Sequence, residues 1–344
     1  MYPNLRLGDK DKVSALVEIR QKNNDFCWLV CDYLNNTPKA ITKDLMDDIN
    51  GNGVLSNETA FAILLSCFCG LDPEGNEQDR KMATGYFHYA VKQLNPEVYL
   101  KNPFYQNIHI PDVTFENWEL RHHTYSPYEA FIYKDLISEP NHKEYPAIGF
   151  FDQEFQYPSV MEDGHEWMSI KPSELETIQP AVDAVAGKVV TFGLGLGYFA
   201  YMASLKNSVS SLTVIERDPN VIALFERYIL PQFECPEKVK IISADALEYA
   251  EQQMPGNAFD YAFVDVWHDA ADGLEMYLKM KKKEVLSPRT KFLYWVEESL
   301  LSSFRWQLFD DVVEKAHSFA EIEQALSDAN LRELAALEIV TLPS

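Results

Sequence analysis

Long apolar runs are missing from this chain. No stretch approaches the roughly 20 consecutive apolar residues that cross a bilayer, and the opening MYPNLRLGDKDK lacks the apolar centre of a secretion signal. A cytoplasmic location with no membrane partner is therefore expected. Cysteine is scarce and odd in number: Cys27, Cys31, Cys67, Cys69 and Cys235 fit a reducing compartment and isolated thiols better than a disulfide framework. Partner histidines at zinc spacing are lacking beside them, so buried structural thiols are expected and no metal site. Positive charge is in deficit. Thirty Lys and Arg stand against 53 Asp and Glu, a net −23, and that field repels phosphate backbones and anionic surfaces at long range. Nucleic acid is thus not an expected partner, and the one dense basic run, KMKKKE at 279–284, reads as a solvated helix end.

What is present is a globular composition, 47% hydrophobic and 13% aromatic over 344 residues. Cores tend to split beyond about 250 residues, so two domains are expected: a mainly helical one over 1–145, and a second over 146–344 that begins with a β-hairpin. Helical periodicity runs through VSALVEIRQKNNDFCWLVCDYL, AITKDLMDDI and SNETAFAILLSCFCGL, with Ser56 placed to cap the last of these. Phe26, Trp28, Phe61 and Phe68 fall at spacings that suit a core or an oligomer face. That domain is expected to shape the substrate pocket or a dimer interface. The aromatic-rich stretch from 96 to 146 reads as a strand followed by a helix after Pro127. The turn at 162–164, EDG, joins the hairpin, and Ser173 with Glu176 has capping-box spacing for a helix ending near Gly187.

Beyond residue 187 the texture alternates. Apolar runs at 188–193, 211–216, 239–245, 259–265 and 290–297 are separated by helical patterns at 197–206, 219–230, 246–253 and 270–282. This predicts an α/β, doubly wound, parallel Rossmann-like sheet covered on both faces, whose ligands bind beyond the carboxyl ends of the strands. Those ends carry Gly193, Gly195 and Gly197, then Glu216, Asp245 and Asp265. A glycine turn lets backbone approach a ligand closely, and a carboxylate at the end of the second strand can accept both ribose hydroxyls of an adenosine. NAD and S-adenosyl-L-methionine share those needs. The dinucleotide fingerprint, however, wants a third glycine where Tyr198 stands, and carboxylates at the third and fourth strand ends would repel a pyrophosphate but tolerate a sulfonium zwitterion.

VVTFGLGLG, TVIERDP, IISADALEY and FDYAFVDVW, taken in order, resemble the first four motifs of class I S-adenosylmethionine-dependent methyltransferases over roughly residues 170–300. The resemblance implies that Gly193, Gly195 and Gly197 surround the methionine part of the cofactor, that Glu216 with Arg217 holds the ribose, and that Asp245 with Ala246 borders the adenine. Asp265 would sit where cofactor and substrate meet. It implies a seven-stranded sheet, for which LEIVTLP at the C-terminus is the one further strand in view. The hairpin before the core and the wording IERDPNVI are also distantly similar to spermidine synthases, although Leu194 and Leu196 fill places that are variable in the GGGxGG loop of those enzymes, which carries an acid.

Catalytic candidates gather in DVWHDAADG. Asp265 and His268 are the expected catalytic pair, His268 as a base, with Trp267 available to stack on a flat or cationic substrate. Asp269 is placed to cap the next helix. Asp265, His268 and Asp269 come from one loop with no distant fourth ligand, so no metal is expected. The hairpin residues Tyr157, Glu162, Asp163, His165 and Trp167 either cover the cofactor or pack the domain junction, the latter expected for Trp167. His122 and His123 read as surface or junction residues. The function expected is methyl transfer from S-adenosyl-L-methionine to a small molecule or a protein side chain. Aminopropyl transfer is the alternative, and a non-catalytic cofactor-binding or scaffolding role is the third reading. A small-molecule partner is expected, with homo-oligomerisation open.

Overall fold

The computed structural model describes residues 10–51 and 53–315. The N-terminal part opens with one long helix, α1 (Lys10–Asn36), followed by shorter ones: α2 (Lys43–Ile49), α3 (Asn57–Phe68), and α4 (Glu77–Met82), which continues through a π turn at Ala83–Phe87 into α5 (His88–Ala90). Polar caps mark their starts: the Ser56 hydroxyl accepts the Thr59 N–H at 3.1 Å, and Asn76 accepts those of Gln78 and Asp79. Phe26, Phe61 and Phe87 are fully buried here, and Phe61 stacks on Phe150 at 4.0 Å between ring centres. Trp28 and Phe68, whose spacing suits a core or an oligomer face, are 68% and 45% exposed and so are not core. Cys31 and Cys67 are likewise exposed rather than buried, because they occupy the outer faces of α1 and α3; all five thiols are free.

After β1 (Val91–Gln93), α6 (Pro96–Leu100) and α7 (Pro103–Asn107), the chain turns to strands: β2 (Val113–Phe115), β3 (Trp118–Tyr125), β4 (Phe131–Ser138), β5 (Glu144–Phe150), β6 (Phe155–Glu162) and β7 (His165–Ser169). The helix expected after Pro127 is therefore a strand, β4. Its start alternates buried and half-buried residues as a strand requires, and two register shifts against β5 blur that pattern further along. One sheet has the order β1-β5-β4 and an antiparallel one the order β2-β3-β6-β7. The β6–β7 turn places both Asp163 (φ 49) and Gly164 (φ 79) in the left-handed region, as a two-residue hairpin turn demands.

The expected boundary between residues 145 and 146 falls inside β5. The strand serves two cores at once. Ile148 and Phe150 pack with Phe26, Phe61 and Phe87, whereas Ala147 and the following Phe151 pack with the large core of the C-terminal half. Successive side chains of a strand point to opposite faces, so one strand joins the two.

Helix α8 (Pro172–Ala184) leads into the parallel sheet. The Ser173–Glu176 capping box does not form: Pro172 occupies the first turn and needs no acceptor for a missing N–H, so the helix begins after Lys171 without a side-chain cap. Then come β8 (Gly187–Phe192), α9 (Tyr198–Ser204), β9 (Val209–Glu216), α10 (Pro219–Leu224), β10 (Val239–Ser243), α11 (Ala246–Gln252), β11 (Tyr261–Val264), α12 (Ala270–Lys283), β12 (Lys291–Tyr294) and α13 (Glu297–Lys315). The five strands pair in parallel in the order β10-β9-β8-β11-β12. This is the Rossmann-like α/β sheet. Val189, Val190, Leu212, Val214, Ala262 and Val264 are fully buried, as strands covered on both faces must be. The strand expected at LEIVTLP lies outside the described residues. The basic run at 279–284 closes α12, where Lys281 pairs with Glu284 and Glu297 and Lys283 with Glu251.

Candidate functional site

The strand order reverses beside β8, and an open α/β sheet forms its crevice at such a point, beyond the carboxyl ends of the strands. A cleft of about 620 Å³ lies there. All five strands deliver residues to it: Gly193 and Gly195 after β8, Glu216 closing β9, Asp245 after β10, Asp265 after β11 and Trp295 after β12. Arg217, Ala246 and His268 line it as well.

The glycines have distinct duties. Gly193 (φ 96) passes so close to β11 that a Cβ there would lie 1.9 Å from the Asp265 carbonyl oxygen. Gly195 (φ 50) meets Met168 of β7, whose sulfur would be 2.1 Å from a Cβ and accepts the Leu196 N–H at 3.2 Å. Gly197 (φ 76) does not line the cleft. It lets α9 approach Phe225, whose ring a Cβ would meet at 2.2 Å, so it acts by packing rather than by ligand approach. Tyr198 follows it, 1% exposed, its hydroxyl accepting from Asn102 at 2.9 Å; the place of a dinucleotide fingerprint's third glycine is filled by a fixed interior side chain.

Glu216 braces the turn. Its Oε2 accepts the Leu194 N–H at 3.1 Å, and its Oε1 accepts those of Arg217 and Asp218 at 2.8 Å each. A carboxylate offers about four lone pairs, so acceptor capacity remains on this residue, which lines the cleft. Asp245 accepts the Glu248 N–H with Oδ1 at 3.0 Å as the N-cap of α11, leaving Oδ2 without a partner among the described residues.

Asp265 and Glu174 both line the cleft, Glu174 buried and Asp265 half-buried. Neither carboxyl has a hydrogen-bond partner among the described residues. Burial pushes Asp265 up to about 7. Burial first, and then the Asp265 charge, push Glu174 up to about 8; its residue is only 8% exposed and lines the cleft. Sequence reasoning passed over Glu174, which sits in the first turn of α8. Its signal is position: it shares the apolar stripe of Leu175, Ile178, Ala181 and Val182, where a charge is out of place.

His268, expected as the base, stands exposed at the cleft rim. Its Nε2 meets the Glu166 carbonyl at 3.2 Å, so that nitrogen must donate, while Nδ1 lies 3.7 Å from Asp269. The geometry makes it a tie between the loop after β11 and the β6–β7 hairpin. Asp269 caps α12 in a reciprocal capping box with Asp272. Trp267 is 7% exposed, packed on Tyr277 and Tyr294, its indole N–H without a partner among the described residues. Of the hairpin residues, Trp167 reaches the cleft, its ring 6.2 Å from that of His268; Tyr157, Glu162, Asp163 and His165 do not line it. His122 pairs with Asp112 away from the cleft, and His123 packs on Tyr157.

The N-terminal part supplies the facing wall through Leu34 in the last turn of α1, Pro38 just after it, and Glu129, Lys134 and Asp135 around β4. Two non-glycine residues beside this cleft hold left-handed backbone, Tyr128 (φ 61) before Glu129 and Val296 (φ 46) after Trp295. A β-branched residue there carries strain, and such strain gathers where a site must be shaped. Among the described residues no three His, Cys, Asp or Glu side chains gather to hold a metal ion, and no helix is long and apolar enough to cross a membrane.

No family model matches the sequence, and no curated protein matches it. Among solved structures the chain is distantly similar to the spermidine synthase of Thermotoga maritima, at 18% identity over 43% of this chain and 55% of that one, with a TM-score of 0.30. A spermidine synthase in complex with the transition-state analogue AdoDATO gives 18% identity, 43% and 54% coverage and a TM-score of 0.30. A putative O-methyltransferase from Klebsiella pneumoniae gives 20% identity, 32% and 47% coverage and a TM-score of 0.25. The matched part spans about half the length of each of these proteins.

Proposed function

We propose that the chain is an S-adenosyl-L-methionine-dependent methyltransferase acting on a small molecule. The observation that carries this reading is the convergence of Gly193, Gly195, Glu216, Asp245 and Asp265 from four adjacent strand ends on one cleft. Its volume suits a drug-sized ligand. Glu216 has acceptor capacity for ribose hydroxyls beside Arg217, and the free Oδ2 of Asp245 with Ala246 suits an adenine edge. The bound donor would supply a sulfonium methyl group as electrophile. The chain's own work is then to orient the acceptor in line, keep water out, and take a proton where the acceptor has one to lose. The unpartnered Asp265 and Glu174 are the groups placed for that last task. A dinucleotide fits less well, because Tyr198 fills the fingerprint position.

Titration calorimetry with S-adenosylhomocysteine and with NAD separates the readings. Micromolar binding of the first and none of the second is expected; tight NAD binding with no response to the nucleoside would overturn the proposal. Aminopropyl transfer is the second reading, favoured by the β6–β7 hairpin lying against the glycine turn through Met168. Mass spectrometry after incubation with decarboxylated donor and putrescine tests it, with spermidine as the expected product if it holds.

A further inference from the structure

Away from the strand ends, one buried carboxylate fastens the last described helix. Glu144, at the start of β5, accepts the Ser302 hydroxyl, the Trp306 indole N–H and the Arg305 guanidinium of α13, the last at 2.7 Å. Its own backbone N–H donates to the Asn23 side chain of α1 at 3.1 Å, and the Asn23 amide donates to the His142 carbonyl at 2.8 Å. His142 thus stands at this junction, in the turn between β4 and β5, with left-handed backbone (φ 66) and with its Nε2 buried and without a partner among the described residues. The apolar hold of α13 on α1 is small there: Trp306 and Phe309 with Leu16 and the half-buried Ile19. The same helix starts at the cleft. Trp295 and Val296 lead into it and Ser299 lies in its first turn, and all three line one wall.

We propose that His142 is an acid-sensitive latch on α13: its protonation sets a second cation against Arg305, weakens the hold of Glu144 on the helix, and loosens the wall of the cleft that α13 carries. The latch does not depend on which ligand the cleft takes. Burial first, and then the Arg305 charge, hold His142 below the ordinary 6.5, with Glu144 pulling the other way. A buried Nε2–H without an acceptor adds a further cost to the protonated form. The other charged groups of the junction are engaged: Lys143 of the same turn pairs with Glu139 at 3.1 Å, and Arg20 of α1 with Asp310 of α13 at 3.3 Å. Burial pushes the Cys27 thiol of α1 up to about 11 and pushes the Tyr86 hydroxyl up as well, so both stay neutral. Burial also opposes the charge of Glu144, but the bonds from Ser302, Trp306 and Arg305 outweigh it and hold that carboxyl below its usual value, so it stays ionised. His142 is then the group of this cluster that titrates between about pH 5 and 7. A histidine held below its ordinary value takes up its proton more readily once released, so docking of α13 is at full strength above pH 6.5 and is lost as the pH falls below it.

Hydrogen exchange of the full chain between pH 7.5 and 5.5, read by mass spectrometry and corrected for the chemical pH dependence of exchange, tests this. Exchange in α13 over 302–310 is expected to rise by up to about fivefold between pH 6.5 and 5.5, with 295–301 following and the core strand β8 unchanged. His142→Asn keeps a residue that tolerates left-handed backbone and cannot take up a proton in this range; it should abolish the rise, and His142→Gly serves as the second variant if the first does not fold. Glu144→Gln should raise exchange in α13 at every pH. Exchange in α13 that ignores pH, that rises equally in the His142 variants, or that is unmoved by Glu144→Gln overturns the latch. A rise confined to 302–310 overturns its reach to the cleft.

Discussion

Glu216 joins two functions in one carboxylate, because the three backbone N–H groups it accepts are those that shape the turns bordering the cleft. Hydrogen bonds to a charged group contribute about 1.5–3 kcal/mol each. Glu216→Ala is therefore expected to weaken S-adenosylhomocysteine binding at least tenfold and also to lower the melting temperature by several degrees, whereas Glu216→Gln, with one acceptor oxygen kept, should lose affinity with a smaller thermal penalty. Calorimetry and thermal melting read the two effects separately; unchanged affinity in both variants would remove Glu216 from the cofactor site. Asp265 and Glu174 predict a pH dependence of opposite sense to an ion-paired acid. Their folded-state values, about 7 and about 8, lie above the ordinary 3.8 and 4.5. Between those limits the folded chain holds protons that the unfolded chain has released, so stability is greatest on the acid side and falls as pH rises toward 8. The unliganded protein should melt at a higher temperature at pH 5.5 than at pH 8 through this pair, and the double variant Glu174→Gln with Asp265→Asn should flatten that slope. An unaltered slope would show that the pair does not hold its protons.

At the scale of elements, the glycine turn predicts a contrast between neighbours. A Cβ on Gly193 meets the backbone oxygen of Asp265, which cannot yield, while one on Gly195 meets the end of the flexible Met168 side chain. Gly193→Ala should cost more than about 3 kcal/mol in stability through the clash and the positive φ. Gly195→Ala should fold with a loss of about 1 kcal/mol, yet bind S-adenosylhomocysteine more weakly as Met168 is displaced; circular dichroism melts and calorimetry compare them. The parallel strands were legible because each is a continuous apolar run ending in a residue suited to the cleft, and the hairpin because Asp163-Gly164 can take two left-handed positions in succession. Strand β4 was not, since Pro127 imitates a helix start and the register shifts after Ile132 break the alternation. Nor was Glu174 as a site residue: it lies in a helix before the glycine turn, and only the packing of α8 brings its side chain to the end of β11. His268 was visible as chemistry, but its engagement with Glu166 depends on a hairpin about a hundred residues away in the chain.

For the whole molecule, the question is whether the two cores behave as separate domains, as length and texture led one to expect. They share β5, with Ile148 turned to the helical core and Ala147 to the sheet core, and the cleft itself needs Leu34, Pro38 and Glu129 from one side and the parallel strand ends from the other. Glu144, at the start of the same strand, is buried and binds Ser302, Arg305 and Trp306 of α13, so the last described helix is fastened to the N-terminal half. Strands and charges shared in this way couple the unfolding of the parts, because exposing either core strips one face of β5. Ile148→Ala in the helical core and Leu212→Ala in the sheet core, both fully buried, should each cost about 2–5 kcal/mol. In scanning calorimetry both should shift one and the same transition to lower temperature. Two resolved transitions, each moved by only one of the substitutions, would show independent domains and would place the cleft at a hinge rather than inside a single cooperative unit.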